Sequence, residues 1–373
     1  MKKLLVFILS LMLLLSGCGK KEDTTGTIPP VVPDTIPTEN IEVDTALAAV
    51  SVPATTDVFC LEDGTELFSY TYQYLNLIFP DASVADKITL EFLNRVDATT
   101  AESESILQTA QANYSANEEW IPYFYRVLYS PTRIDHGVLS LHGIQNSFTG
   151  GTHGNLSCVS VNYDMTTGDV LTFGSIMHPD ADKEDFIALI SQQLKEVQDE
   201  YYIYDDFETA VRDRLGGDEN LYEDFYFSTN GLCFYFSPYE IAPYASGIIT
   251  IEIPYSQLTG LIYDGYFPEE RQLIEGSVKT GSFMDTDMTA FNNMAEVMLT
   301  EDAPLQVLYT DGTIEDLRIT LGGDGKTMPD YTIFAALTLS QKDAVVFGMT
   351  DTQLNNLTVS YSNGEEIVTQ SFF

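Results

Sequence analysis

The chain has 373 residues, of which 44% are hydrophobic and 12% aromatic, so it has enough apolar side chains to build sizeable cores. It carries 17 Lys and Arg residues against 56 Asp and Glu residues, a formal net charge of −39. This charge repels phosphate backbones and excludes nucleic acid as a partner. A negative field instead steers cationic partners to the surface, although a diffuse acidic surface also serves solubility alone.

Residues 1–17 are predicted to be a lipoprotein signal peptide. Lys2 and Lys3 precede an apolar run over residues 4–15, which is shorter than the roughly 20 residues that a membrane-spanning helix needs. The run ends in Leu-Ser-Gly-Cys at residues 15–18, which resembles a bacterial lipobox. The resemblance implies that Cys18 becomes the lipid-carrying first residue of the mature chain, on the outer face of the bacterial cell membrane. Losing Lys2 and Lys3 leaves a mature charge of 15 − 56 = −41.

Residues 18–57 are predicted to be a tether. This segment is rich in Pro, Thr and acidic residues and has almost no aromatic residue before its end, so it cannot bury a core. Its prolines favour extended polyproline conformations. Such a composition suits a spacer that holds the folded part away from the membrane, and it equally suits an unselected flexible leader.

A folded module is predicted over residues 58–264. The run over residues 66–79 is rich in aromatic and β-branched residues and predicts a strand that ends at Pro80. A helix is predicted next, with its N-cap at Asp81 or Ser83 and with a continuation towards Gln111. Its apolar residues recur every four positions, at Val84, Ile88, Phe92 and Val96.

Three strand-like runs follow the helix, at residues 120–130, 137–148 and 156–163. A turn at Pro131 separates the first two, and the glycine-rich loop NSFTGGTHG at residues 146–154 separates the last two. The glycines of this loop are expected to supply positive φ angles where the chain reverses. A turn at residues 164–169 then leads to a second helix from Phe186 to Val197.

The block over residues 222–258 completes the module. It predicts a hairpin through residues 229–231, a loop at residues 237–247 and a strand at residues 248–253. The element order is β-α-β-β-β-α-β-β-β, which predicts an α+β fold of antiparallel sheets with two packed helices.

A small, mainly-β domain is predicted over residues 275–373, after a charged joint near residues 268–277. Hairpins are expected through Asp311-Gly312 and Asn363-Gly364, with strands at residues 331–340 and 344–348. Residues 290–299 have apolar residues at helical spacing and predict a short helix. Proteolysis between about residues 262 and 285 is therefore expected to separate two folded pieces.

The loop at residues 237–247 is the main candidate binding element, because large aromatic residues on a firmly anchored loop are common in binding sites. Tyr239 and Tyr244 would serve as aromatic anchors, Glu240 as a charge for a basic partner and Pro243 as a stiffener. The alternative is that both tyrosines fold back over a sheet edge. His153, at the tip of the glycine-rich loop, is either a turn residue or a further contact.

The sequence predicts no catalytic residue, metal site or other cofactor. His153 and Cys158 are five residues apart, but Cys158 lies inside a predicted strand and is expected to point away from the loop. The histidines lack the three converging ligands that catalytic zinc requires. Cys60, Cys158 and Cys233 allow at most one disulfide, and Cys158 and Cys233 are more typical of small buried thiols.

Two segments together resemble a known module, GGTHGNLSCVSVNYDMTTGDVLTF at residues 150–173 and FYFSTNGLCFYFSPYEIAPYASGIITIEIPYSQL at residues 225–258. They are similar to the extracytoplasmic module of RsiV-type anti-sigma factors, which act as lysozyme receptors, and of PdaC-type peptidoglycan deacetylases. The likeness runs from about residue 58 to 262. The lipobox is expected to replace the sigma-binding segment, and the last histidine is His178, which precludes the two-histidine metal site of the deacetylase domain.

Resemblance and charge together predict a non-enzymatic extracellular binding module. The expected partner is a cationic protein such as lysozyme, or peptidoglycan fragments. The alternatives are a structural or adaptor lipoprotein, or an accessory wall-binding module that works with a cell-wall enzyme. A wall-active enzyme is disfavoured because no acid, base or metal ligands are predicted to converge.

Replacing Cys18 by Ala is expected to release the protein from membranes, because the lipid is its only predicted apolar anchor. The measurement is membrane fractionation followed by a salt wash. A variant that still sediments with membranes after the wash would contradict the lipoprotein prediction.

Overall fold

The structure is a computed structural model that describes residues 47–115, 119–215, 223–269, 276–300, 303–323, 329–362 and 367–371. The predicted signal peptide, Cys18 and the predicted tether up to residue 46 lie outside these residues. The strands are β1 (Ala49–Ser51), β2 (Ala54–Cys60), β3 (Glu66–Gln73), β4 (Asn76–Ile78), β5 (Tyr123–Ile134), β6 (Val138–Phe148), β7 (Asn155–Asp164), β8 (Phe225–Phe227), β9 (Gly231–Phe236), β10 (Ile249–Pro254), β11 (Val278–Ser282), β12 (Asn293–Met298), β13 (Leu305–Thr310), β14 (Ile314–Leu321), β15 (Tyr331–Leu339), β16 (Asp343–Gly348), β17 (Leu357–Ser362) and β18 (Ile367–Ser371). The α-helices are α1 (Ala82–Asn113), α2 (Phe173–Ile176), α3 (Lys183–Glu196), α4 (Gln198–Tyr201), α5 (Phe207–Leu215), α6 (Tyr255–Leu258) and α7 (Asp351–Asn355).

These strands form four sheets. The orders are β2-β3-β5-β6-β7, β10-β9-β8, β11-β13-β16-β12 and β18-β17-β14-β15-β1-β4. Neighbours are antiparallel except for β3 with β5 and β12 with β16, which are parallel. The predicted α+β class, with mostly antiparallel sheets and a β-rich C-terminal region, is confirmed.

Helix α1 covers one face of the five-stranded sheet. Its N-cap is Asp81, whose carboxylate accepts hydrogen bonds from the backbone N–H groups of Ser83 (2.9 Å) and Val84 (3.4 Å). The four predicted apolar positions are all buried, and they share a core with the sheet. An apolar residue at every fourth position is therefore enough to set which side of this helix faces the sheet.

The three-stranded sheet meets the other face of the five-stranded sheet through the edge of β8. Strand β8 pairs only with β9 among the described residues, so its other edge needs hydrogen-bond partners. The buried Ser140 hydroxyl accepts from the Phe227 N–H (2.9 Å) and donates to the Asn162 side-chain oxygen (2.7 Å). The Asn162 amide donates to the Phe225 carbonyl (2.8 Å). Side chains of β6 and β7 therefore replace a missing neighbouring strand, and we call Ser140 and Asn162 the inter-sheet bridge.

The folded part begins earlier than the predicted boundary at residue 57. Leu47 is 3% exposed, and β1 is buried between β15 and β4. Residue 57 itself lies inside β2. The run LAAVSV at residues 47–52 is apolar enough to be buried, so it belongs to the folded part despite the acidic composition around it.

The six-stranded sheet crosses the predicted division at residue 264. Strands β1 and β4 come from the N-terminal side of that division and pair with β15 and its sheet. Arg318 of β14 donates to the carbonyls of Pro131 and Thr132 in β5, each at 2.6 Å. The described residues between 47 and 371 belong to one compact unit. The two predicted domains are therefore parts of one folded body.

Two predictions for the C-terminal region are wrong. Residues 293–298 form strand β12 and not a helix, since Ala295 and Val297 are buried and alternate with exposed neighbours. The turn at Asp311-Gly312 does not close a hairpin, because β13 and β14 belong to different sheets. The last predicted hairpin is confirmed by the pairing of β17 with β18, and its turn at Asn363-Gly364 lies outside the described residues.

Pro131 lies inside strand β5 and does not form the predicted turn. Strand β3 pairs only with Tyr123 to Arg126 of β5, so the ladder on that side ends before the proline. On the other side the register with β6 shifts between Pro131 and Arg133. The irregularity accommodates a residue that has no N–H group to donate.

Cutting the chain at a protease site inserted into residues 270–275 is expected to leave the two pieces associated. The strand pairs of β1 and β4 and the contacts of Arg318 hold them together without the covalent link. Size-exclusion chromatography of the cut chain, with and without denaturant, measures this. Val50→Asp buries an unpaired carboxylate and should separate the pieces, whereas Val58→Asp at an exposed position should not. Separation of the unsubstituted pieces in native buffer would contradict the shared sheet.

Candidate functional site

The structure brings together the two loops that the sequence singled out. His153 lies on the loop at residues 149–154 between β6 and β7, and its ring centroid is 4.5 Å from that of Tyr244. The Tyr244 ring is 5.5 Å from the Tyr239 ring, and its hydroxyl donates to the Gly154 carbonyl (2.9 Å). We call His153, Tyr239 and Tyr244 the aromatic patch. Tyr239 is 62% exposed, so it does not fold back over a sheet edge.

Glycines shape the loop that carries His153. Gly150 and Gly151 have φ angles of +94° and +98°, as predicted for the reversal. A Cβ atom at residue 150 would also lie 2.9 Å from the Tyr123 hydroxyl oxygen, too close for contact. At residue 154 the need for glycine comes from a close contact alone, because a Cβ atom there would lie 2.7 Å from the Ser147 carbonyl oxygen. The loop is therefore a tight turn that leaves His153 exposed at its tip.

Tyr239 has a left-handed backbone, with a φ angle of +70°. Its N–H donates to the Ala242 carbonyl (3.0 Å), and the Glu240 N–H donates to the Ser237 carbonyl (3.1 Å). A bulky residue in this region of the backbone map costs on the order of 1–3 kcal/mol, and such strain concentrates at functional sites. The turn holds the Tyr239 ring out into solvent.

Glu240 is not available as a free charge for a basic partner, which corrects the sequence prediction. One carboxylate oxygen is paired with Arg214 of α5, and the other accepts from the Ser237 N–H (2.9 Å). Arg214 also donates to the Tyr235 carbonyl (2.7 Å) and pairs with Asp224 (3.1 Å), and its side chain is only 13% exposed. Arg214 and Glu240 fasten the start of the loop at residues 237–247 to the helix.

The second half of the same loop is attached to the segment around α4. Pro243 has a φ angle of −60° and precedes a 3-10 turn at Tyr244–Ser246. The Ser246 hydroxyl donates to the Tyr201 carbonyl (2.6 Å), and the Ile241 carbonyl accepts from the N–H of Tyr204 (2.9 Å).

These contacts bring exposed tyrosines, which sequence reasoning missed, next to the loop. Tyr202 is 76% exposed and has a φ angle of +53°, and Tyr204 is 40% exposed. The run YYIY at residues 201–204 was the available signal.

Cys158 contacts His142 and not His153. The Cys158 sulfur lies 3.8 Å from the His142 Nε2 atom, and the His142 ring stacks on Tyr226 at a centroid distance of 4.2 Å. Burial raises the pKa of the Cys158 thiol to about 12 and lowers the pKa of His142 to about 4. Both groups are therefore neutral at neutral pH, and the pair does not supply the thiolate that nucleophilic catalysis needs.

The other two thiols are also unpaired. Cys233 is buried, and burial raises its pKa to about 12, whereas Cys60 is exposed. Cys60, Cys158 and Cys233 are all free, so none of the disulfides that the sequence allows is formed among them. Cys158 and Cys233 are small buried thiols, as predicted.

The other features of the described residues are a surface groove and scattered charged side chains. In this part of the chain no three His, Cys, Asp or Glu side chains are grouped to hold a metal ion. A groove of about 530 Å³ lies between α3 and α5, and ion pairs of Lys195 with Glu208 and of Arg212 with Glu184 line it. These four side chains are about half exposed, so solvent screens both pairs and they add little to stability. No helix within the described ranges is both long and apolar enough to cross a bilayer.

Residues 175–256 match the family model described as Protein of unknown function (DUF3298). The match includes α3, α5, the three-stranded sheet and the loop at residues 237–247, but not His153. The chain is similar to the crystal structure of a DUF3298 family member from Bacteroides fragilis, with 18% identity, a TM-score of 0.45, and coverage of 59% of this chain and 96% of that one. A DUF3298 family protein from Pseudomonas aeruginosa is also similar, with 18% identity, a TM-score of 0.42 and coverage of 59% and 97%. No curated protein matches the chain.

The burial of His142 is expected to make stability depend on pH. The folded chain keeps His142 neutral down to about pH 4, whereas the unfolded chain binds this proton near the ordinary pKa of 6.5. The unfolded state therefore holds more protons in this window, so stability is lost as the pH falls from about 6.5 to about 4. His142→Phe, which keeps a ring on Tyr226, should reduce that loss by on the order of 1–3 kcal/mol. Urea unfolding at both ends of the window measures it.

The matched control is Leu90→Phe, which adds a ring at an exposed position and changes no titratable group. This variant should keep the pH dependence of the unsubstituted chain. If the free energy of unfolding of the His142→Phe variant changed with pH as steeply as that of the unsubstituted chain, the effect assigned to burial of His142 would be contradicted.

Proposed function

We propose that the protein is a lipid-anchored, non-enzymatic binding module on the outer face of the bacterial cell membrane. The observation that carries the proposal is the aromatic patch, in which Tyr239 is held outward by a left-handed backbone beside Tyr244 and His153. Exposed aromatic rings on anchored loops are typical contact anchors. The neutral state of Cys158 and His142 supports binding over nucleophilic catalysis.

The partner that we favour is a cationic protein of the lysozyme type. The resemblance of residues 58–262 to the RsiV-type receptor module supports this class, and the net charge of −39 supports a basic partner in general. Because Glu240 is paired with Arg214, attraction comes from the overall field and not from this carboxylate. The field accelerates encounter, and the aromatic patch then slows dissociation.

Peptidoglycan fragments are the second candidate partner. The PdaC-type resemblance points to cell-wall chemistry, and the flat rings of tyrosines can pack against the apolar faces of the sugar rings. A role as an adaptor lipoprotein, or as an accessory module beside a wall enzyme, uses the same exposed surface. All of these functions depend on anchoring at Cys18.

The double substitution Tyr239→Ala, Tyr244→Ala is expected to raise the off-rate of lysozyme by about 30-fold, the equivalent of about 2 kcal/mol for a contact anchor. Raising the salt concentration should instead lower the on-rate and leave the off-rate nearly constant. Surface plasmon resonance on the purified chain measures both rates.

The control substitution is Tyr74→Ala, because Tyr74 is 44% exposed and follows β3 at the end of the five-stranded sheet opposite the loop at residues 149–154. It should change neither rate. Calorimetry that finds no heat of binding to lysozyme at low salt would remove this partner and favour wall fragments. An off-rate unaffected by the double substitution would retain the partner and exclude the aromatic patch.

A further inference from the structure

Strand β2 is an open edge of the five-stranded sheet. It pairs with β3 alone among the described residues. Residues 55–60 are all exposed, including Val58 at 54% and Phe59 at 38%. Every second residue of an edge strand directs its N–H and C=O groups away from its neighbour, so β2 presents a row of backbone groups to another strand.

Two of the residue types that commonly protect such an edge, Lys and Pro, are missing from β2, whose sequence is ATTDVFC. Thr55, Thr56 and Val58 are β-branched and favour the extended backbone. The register with β3 shifts only between Phe59 and Cys60, which leaves six regular residues, or about 20 Å of strand.

The sequence within and beside β2 is acidic, and the cations of its sheet, Arg126 and Arg133, lie on β5, two strands away. The sequence has no Lys or Arg between Lys21 and Lys87. Asp57 lies within the strand, and Glu62 and Asp63 are exposed in the turn that follows it. An added strand that carries positive charge is attracted here, whereas a second copy of this chain, with its net charge of −39, is repelled.

We propose that β2 binds a cationic, extended peptide segment, which adds to the five-stranded sheet as a further strand. Main-chain hydrogen bonds to β2 would provide affinity, and the acidic residues within and beside β2 would select basic side chains. The segment belongs to a partner protein in which Lys or Arg alternates with β-branched residues. This surface is separate from the aromatic patch, so the inference does not rest on the function proposed above.

The test uses the purified full chain and a synthetic peptide of about eight alternating Lys and Thr residues, long enough to span β2. Calorimetry should detect binding, and hydrogen exchange should show slower exchange for amides within residues 55–59. A peptide with Glu in place of Lys should bind at least about tenfold more weakly. A Lys peptide with a methyl group on every backbone nitrogen keeps its side-chain charges but has no backbone N–H donors. It should not bind.

A matched pair of variants locates the site. Val58→Lys adds a positive charge to the edge and should weaken binding of the Lys peptide by at least about fivefold. Leu90→Lys adds the same charge at a 60%-exposed position on α1 and should leave binding unchanged. The double substitution Tyr239→Ala, Tyr244→Ala should also leave it unchanged, which separates this surface from the aromatic patch.

Three results would overturn the proposal. Equal binding of the fully N-methylated peptide would mean that charge alone attracts the ligand. Equal effects of Val58→Lys and Leu90→Lys would place the ligand elsewhere. A chain that elutes as a dimer, and becomes monomeric on Val58→Lys substitution, would mean that a second copy occupies β2.

Discussion

The burial of one edge of β8 is the constraint on which the arrangement of this protein depends. Backbone groups on a buried edge lose their hydrogen bonds to water, and leaving one unsatisfied costs about 1–3 kcal/mol. The inter-sheet bridge of Ser140 and Asn162 supplies the partners, and both side chains are fully buried. This contact sets the three-stranded sheet at one position on the five-stranded sheet. The loops that extend from β7 and β9 consequently meet, and His153 reaches Tyr244.

The secondary structure was predictable where apolar residues recur at a regular spacing along the sequence. Helix α1 followed from apolar residues at every fourth position, and the strands on either side of the glycine-rich loop followed from their composition. Short segments were ambiguous, since Met294, Ala295 and Met298 fit a helical spacing, whereas Ala295 and Val297 fit an alternating one. Which strands pair with each other could not be predicted from the local sequence. Nothing near Asp311 indicates that the strands on its two sides enter different sheets, because the partners of β13 and β14 lie elsewhere in the chain.

The candidate site shows the same division. Tyr239, Tyr244 and His153 carried local signals, namely aromatic rings between confident strands and glycines at a reversal. The role of Glu240 could not be found in this way, because its partner Arg214 is 26 residues upstream on another element. The same holds for Cys158, which contacts His142 across the β6–β7 pair. Residue type and spacing thus identified surface aromatic side chains better than they identified the partners of internal polar groups.

The position of β1 has a mechanical consequence. Among the described strands, β1 is the first in the chain, and it is hydrogen-bonded on both sides to antiparallel strands, so a pull on the chain from its N-terminal side acts on β1 before the other described strands. Its neighbour β15 belongs to the C-terminal part of the sequence, so the load passes directly into the body formed by residues far along the chain. Forced unfolding depends on the barrier to separating such strands, not on overall stability. A chain held at its N-terminus would therefore resist detachment of β1 through the hydrogen bonds that β1 makes to both of its neighbours in the six-stranded sheet.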